Sequence, residues 1–425
     1  MVKVITYGTY DVLHYGHIRL LERAKALGDY LIVGITSDDY DKTRGKINNQ
    51  QSLMERIAAV EATGIADEII VEEYEGQKID DIRRLGVDIF TVGSDWVGYF
   101  DYLNEFCKVI YLPRTEGISS SEIRAEKRKL VIGTIGDKGL CNKFIREMQF
   151  VNGVEHKECN EAFEGVDAVY ISTHPEKHYD DVKNALQNGK HVICESPIAL
   201  TKEQCKELMA LSHENGLILT DGIKTAYSTA FSRLMVVVKS GRIGDIVSVD
   251  SVCTSLESGA GNPGADLSTK QNSICAWGPT AMLPIFQLLG VSYQSKRITS
   301  WMINEARRFD GFTKIDFTFD KAVASVKIAK AAKAEGELII TGTKGYIYVP
   351  APWWKTDYFE VRFENQSDNK RYFYQLDGEG IRYEIVAFTK AVETGRDNYY
   401  ISEKVSMAIC KVIEDYYSGD IIRIG

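Results

Sequence analysis

Twice in this chain a short apolar run ends at a glycine turn that leads straight into an amphipathic stretch. The first instance is Val4-Ile5-Thr6-Tyr7, followed by Gly8-Thr9-Tyr10-Asp11-Val12-Leu13-His14-Tyr15-Gly16-His17. Ile18, Leu21, Ala24 and Leu27 then recur at helical spacing, and Gly28 offers a C-cap. A second apolar run, Leu31-Ile32-Val33-Gly34-Ile35, completes a right-handed βαβ unit with buried parallel strands. Ligands of such units collect at the carboxyl ends of the strands. A helix N-terminus there presents free N–H groups and positive potential, which suits phosphate. His14 and His17, three residues apart at the helix start, add donors that can follow charge as it builds on phosphorus.

The next blocks repeat this logic. Lys42, Arg44 and Lys46 alternate with other residues in the stretch beyond the second strand. Met54-Glu55-Arg56-Ile57 opens another helix, and residues 66–73 read as a strand. Val87–Val92 is a further strand, ending at Gly93-Ser94-Asp95-Trp96, where Asp95 can accept from a base or ribose and Trp96 can pack beside it. After strand Val109–Leu112 comes Arg114-Thr115-Glu116-Gly117-Ile118-Ser119-Ser120-Ser121-Glu122. Ser119 or Ser120 can cap a helix with Glu122 in its first turn, a second phosphate cradle. Arg114 brings a planar fork that neutralises phosphate charge.

These blocks, together with Gln77-Lys78, resemble the HxGH nucleotidyltransferases, and within them the glycerol-3-phosphate cytidylyltransferase family, over residues 1 to about 126. The resemblance implies transfer of CMP from CTP to a small alditol phosphate, with release of pyrophosphate, in surface-polymer synthesis. It implies His14, His17 and Arg114 as catalytic residues. It implies nucleotide contacts from Gly8, Thr9, Tyr10, Gly16, Arg44, Lys46, Arg56, Asp95, Trp96, Thr115, Ile118, Ser119 and Ser120, and acceptor contacts from Asp11 and Lys78. Mg²⁺ is expected with CTP, without an all-protein cage. Two departures stand out. The family's tryptophan before Gln-Lys is replaced by Glu75-Gly76, and its paired aspartates after Gly93 are Ser94-Asp95. The acceptor stays open between glycerol 3-phosphate, glycerol 2-phosphate and a longer alditol phosphate.

The 425 residues are enough for two or three domains. With a formal charge of −9, the chain is a poor partner for nucleic acid or a membrane surface, so phosphate must meet local basic clusters. No apolar run reaches a membrane-spanning length. Eight cysteines scattered without CxxC pairs point to a reducing, cytoplasmic setting and to no zinc or disulfide framework.

The second strand–turn–helix is Leu130–Ile135, then Gly136-Asp137-Lys138-Gly139, a GxxGxxG variant counted from Gly133. With Glu195-Ser196-Pro197, residues 216–222, 241–249, 340–360 and 382–396, it resembles the glucose–fructose oxidoreductase/inositol dehydrogenase family. That implies a Rossmann domain and a second domain with an open, largely antiparallel sheet that often forms oligomer interfaces. Three departures speak against NAD(P). The family's Glu-Lys-Pro is Glu-Ser-Pro here, and no histidine follows His213. Residues 155–158 are too short to supply the second Rossmann strand together with the helix and strand after it. The expectation is an α/β chain of three parts. These are a Rossmann-like nucleotidyltransferase domain at 1–128, a shortened Rossmann domain at 129–245, and an α+β domain at 246–425 whose last helices pack back on the Rossmann part. The last two serve homo-oligomerisation or docking. The alternative is a bifunctional enzyme whose second half is an NAD(P)-dependent oxidoreductase acting on the same alditol or keto phosphate.

Overall fold

The computed structural model describes residues 1–43, 49, 51–74, 76–113, 129–159, 163–257, 267, 270–374, 376–396 and 400–424. The chain divides into two compact units, Met1–Arg128 and Lys129–Gly425.

The N-terminal unit is a parallel five-stranded sheet in the order β3-β2-β1-β4-β5. Its strands are β1 (Lys3–Gly8), β2 (Tyr30–Thr36), β3 (Glu68–Glu72), β4 (Ile89–Gly93) and β5 (Lys108–Leu112). The described helices are α1 (Tyr15–Lys25), α2 (Asp38–Thr43), α3 (Leu53–Glu61) and α4 (Gln77–Leu85). Val4, Leu21, Ala24, Leu31 and Val33 close one face of the sheet, and Ile5, Ile32, Ile82 and Phe90 the other. Sequence order reverses between β1 and β4, which makes the carboxyl end of β1 a topological switch point. The C-cap of α1 is Ala26 in right-handed conformation, not Gly28. Gly28 is needed for a close approach instead: a Cβ there would lie 2.6 Å from the Val2 carbonyl oxygen. Lys42 lies inside α2.

The C-terminal unit contains a second parallel sheet, ordered β10-β9-β8-β6-β7. It is built from β6 (Leu130–Gly136), β7 (Val154–His156), β8 (Ala168–Ser172), β9 (His191–Glu195) and β10 (Leu219–Gly222). The short segment after the first helix does form a strand, β7, which pairs with β6. Among the described residues no helix separates β7 from β8. Helices α5 (Lys138–Met148), α6 (Pro175–Gln187), α7 (Lys202–Glu214) and α8 (Thr229–Lys239) follow in turn.

A nine-stranded sheet follows, in the order β18-β17-β16-β15-β11-β14-β13-β12-β19. Its strands are β11 (Ile246–Thr254), β12 (Ser295–Asn304), β13 (Phe309–Thr318), β14 (Val323–Ala329), β15 (Leu338–Gly342), β16 (Tyr346–Val349), β17 (Tyr358–Arg362), β18 (Lys370–Phe373) and β19 (Ile422–Ile424). Only the β11–β14 and β12–β19 pairs are parallel, and α9 (Ser273–Leu289) covers one face. The last helices, α10 (Ile381–Thr394) and α11 (Glu403–Ser418), return to the Rossmann sheet. Ile381, Ile385 and Phe388 of α10 pack with Phe144 and Met148 of α5. Cys410 of α11 packs with Val182, Cys205 and Leu208 on the opposite side. All eight cysteines are free, and no described helix is long and apolar enough to cross a membrane.

Candidate active site

The turn after β1 is strained and heavily braced. Tyr10 (φ 52°) and Val12 (φ 49°) are non-glycine residues in left-handed conformation, a cost of roughly 1–3 kcal/mol each. Backbone and side-chain bonds hold them there. Val12 N donates to Gln51 Oε1 (2.8 Å), and Asp11 Oδ1 accepts from Gln51 N (3.0 Å). Thr9 Oγ1 donates to Asp41 Oδ1 (2.9 Å). Arg56, fully buried, donates through Nη1 to the carbonyls of Thr9 (2.7 Å) and Thr36 (2.8 Å), through Nε to Gln51 O (3.3 Å), and through Nη2 to Asp38. A capping box between Ser52 and Glu55 fixes α3, which carries Arg56.

This bracing delivers two imidazoles to the start of α1. His14 is the N-cap, its Nδ1 accepting from Gly16 N at 3.1 Å. In the neutral ring the proton then sits on Nε2. The His17 ring stacks on His14 with centroids 3.9 Å apart and planes 22° apart, and the Tyr10 ring meets His17 edge-on at 5.5 Å.

Beside the turn, the carboxyl ends of β1 to β4 enclose a cavity of about 50 Å³ lined by Gly8, Thr36, Glu72, Lys78, Trp96 and Phe100. Lys78 is ion-paired with Glu72 and lies 4.7 Å from the centroid of the Tyr7 ring. Glu72 also accepts from Thr36 Oγ1 at 2.9 Å. Tyr7 donates to Asp81 Oδ2 at 2.9 Å, and burial with that carboxylate nearby pushes its phenol far up, so it stays neutral. Breaking this buried pair by removing one partner would strand a charge.

Residues 5–126 match the model of a family described as cytidylyltransferase-like. The glycerol-3-phosphate cytidylyltransferase of Bacillus spizizenii is 48% identical over 130 residues, which is 31% of this chain and 100% of that protein. Its Bacillus subtilis counterpart is 49% identical over 126 residues, 30% of this chain and 97% of that protein. The chain belongs to the glycerol-3-phosphate cytidylyltransferase family. It is a nucleotidyltransferase.

Within this cytidylyltransferase the structure brings Gly8, His14, Gly16, His17, Lys78 and Trp96 to the carboxyl edge of the sheet. Asp11 and Arg56 sit behind the turn and hold it, and Asp95 is exposed on the short 3-10 turn after β4. Arg44, Lys46, Arg114, Thr115, Ile118, Ser119 and Ser120 lie outside the described residues. Thr36, Glu72, Tyr7 and Phe100 were not singled out from sequence. Thr36 and Glu72 are the last residues of β2 and β3, so the carboxyl-end rule applied strand by strand would have found them.

The other glycine turn has different chemistry. Gly136 has φ 116°, and a Cβ on it would lie 2.3 Å from the Ser172 backbone. Asp137 is the N-cap of α5, its Oδ1 accepting from Leu140 N at 2.9 Å. Counted with Gly136 and Gly139 as the second and third glycines of the dinucleotide fingerprint, Thr134 stands where the first would be. Residues 141–223 match a family described as oxidoreductases with an NAD-binding Rossmann fold. The C-terminal unit shares its fold with the 3-ketoreductase KijD10 of Actinomadura kijaniata, solved in complex with NADP and TDP-benzene. That match has 15% identity and a TM-score of 0.59, and it covers 70% of this chain and 100% of that one.

Proposed function

We propose that the N-terminal unit transfers CMP from CTP to an alditol phosphate, with glycerol 3-phosphate as the first candidate, giving CDP-glycerol and pyrophosphate. The observation that carries this reading is the stacked His14–His17 pair at the start of α1, set on a turn ending at the Lys78 cavity. A phosphate oxygen of the acceptor attacks the α-phosphorus, a P–O bond forms, the bond to the bridging oxygen breaks, and pyrophosphate leaves with that electron pair. The protein's share is positioning and charge stabilisation. His14 and His17 donate to the α-phosphoryl oxygens as charge grows on them. Arg114, Arg44, Lys46, Thr115, Ile118, Ser119 and Ser120 hold the departing phosphates, and Asp95 and Trp96 serve base and ribose. Lys78 exchanges Glu72 for the acceptor phosphate, while Asp11 and Arg56 keep the turn in register. Among the described residues no three His, Cys, Asp or Glu side chains gather as a metal site, so Mg²⁺ would arrive on the triphosphate.

In the C-terminal unit, the Asp137 carboxylate fills the helix start that a dinucleotide pyrophosphate would need, and Thr134 replaces the first glycine of the fingerprint. Those residues do not suit NAD(P), and the unit is read as a docking or dimerising element of a cytoplasmic enzyme. Support comes from the alternate residues of β16 to β18. Arg362 lies over the Tyr348 ring (4.4 Å), Arg371 over Tyr358 (5.4 Å), and Phe373 is exposed. Interfaces are enriched in such aromatic and arginine side chains. The test is CTP-dependent pyrophosphate release by the full chain with glycerol 3-phosphate, glycerol 2-phosphate and ribitol 5-phosphate. Release with at least one acceptor supports the reading, and no release with any small phosphomonoester ends it.

A further inference from the structure

A cavity of about 220 Å³ lies between β10, α7 and α11, apart from both glycine turns. It equals the liquid volume of roughly seven waters. Asp221, near the end of β10, lines it and is only 4% exposed. Its Oδ1 finds no hydrogen-bond partner, while the Ser196 and Ser406 hydroxyls lie against the carboxylate. Burial raises this acid to about 6. Ser212, Thr220 and Ser406 add buried hydroxyls, and Met209, Leu219 and Ile401 give apolar wall. At the rim, Ser402 starts α11 without a side-chain capping bond, and His213 Nε2 meets Glu403 Oε1 at 2.8 Å.

The charges around this space narrow its occupant. Among the described residues no lysine or arginine lines it, and two carboxylates face it, so an anion is disfavoured. The positive start of α11 and the His213 ring beside Glu403 disfavour a cation. What remains is a neutral molecule rich in hydroxyl donors, with C–H faces for the apolar wall. We infer that this cavity binds a small free polyol, of about four or five carbons by its volume, with a hydroxyl donating to Asp221. The site is separate from the acceptor cavity of the N-terminal unit and takes the unphosphorylated form of the same chemical class.

The experiment is calorimetric titration of the full chain with erythritol and with ribitol, under excess glycerol 3-phosphate so that the acceptor site is filled. Saturable one-to-one binding is expected, with Kd below about 10 mM. Asp221→Asn should weaken it at least tenfold, and Ile401→Trp, at the half-buried rim, should abolish it. The rim variant keeps the test decisive if Asp221→Asn fails to fold. Absence of saturable heat with both polyols, unchanged binding in both variants, or tighter binding of butane-1,4-diamine or ribitol 5-phosphate than of ribitol would each overturn the inference.

Discussion

The two glycine turns of this chain start from one plan and end with opposite electrostatics. Each runs from a buried parallel strand into the N-terminus of an 11-residue helix. In the N-terminal unit the cap is His14, accepting through Nδ1, which places no carboxylate at the positive helix start. In the C-terminal unit the cap is Asp137, which places the protein's own negative charge there. The bracing differs too. The first turn carries two left-handed non-glycine residues held from behind by Arg56, Asp11 and Gln51. The second relies on the positive φ of Gly136 and its contact with Ser172. One turn holds two strained residues, and the other brings a glycine against the neighbouring strand. The comparison teaches that a shared backbone motif does not carry the chemistry; the capping side chain does.

The largest effect expected from breaking this contrast is at His17. His17→Ala should lower kcat for pyrophosphate release by roughly 10³-fold, the scale for losing a transition-state donor, with the melting curve nearly unchanged. Activity within tenfold of the parent would remove the imidazole pair from the account.

Next in size is a pH effect confined to the C-terminal unit. Asp310 is wholly buried and its carboxyl is raised to about 6, chiefly by desolvation. Between about pH 4 and 6 the folded chain keeps a proton that the unfolded chain has released. This group's contribution therefore falls as pH rises through that window and is flat above it. The shift corresponds to roughly 3 kcal/mol. Denaturant melts of Asp310→Asn against the parent at pH 4.5 and 7 should show that the variant loses this slope, and parallel slopes would refute the assignment.

Lys78→Met combined with Glu72→Gln removes the buried pair without stranding a charge. Acceptor KM should rise roughly 10- to 100-fold, the value of one or two charge-assisted bonds, while CTP KM stays put. A rise confined to CTP would move Lys78 to the nucleotide side.

The smallest effect tests the second turn directly. Asp137→Ser keeps a helix cap but removes its charge, so NADH affinity measured by fluorescence should increase about tenfold, or roughly 1.4 kcal/mol. Tight NADH binding by the parent chain, with Kd below about 10 μM, or no change in the variant, would break the comparison.

Much of this was legible from residue order. The parallel strands and both turns follow from apolar runs punctuated by glycine, and the family resemblance rests on ordered blocks across residues 1–126. The misplacements have physical causes. Gly28 reads as a cap because glycine is common there, yet close packing against Val2 is what requires it. What residue order did not show is that the Arg56 guanidinium, read as a nucleotide contact, also donates to three carbonyls and a carboxylate beneath the turn. The segment around Glu155 is short for a full Rossmann half, and among the described residues it forms a strand with no helix before the next one.

By itself, the sequence determined which residue types stand at each helix start and where strands and turns alternate, because those are local properties of backbone preference and apolar spacing. Only the tertiary structure decided which of those side chains face a cavity and which are consumed in holding it. It joined Thr36, Glu72 and Lys78 from three separate elements, and brought α10 and α11 back onto a sheet nearly two hundred residues earlier in the chain. The physical reason is that desolvation and partner choice depend on neighbours distant in the chain, whose identity no local pattern encodes.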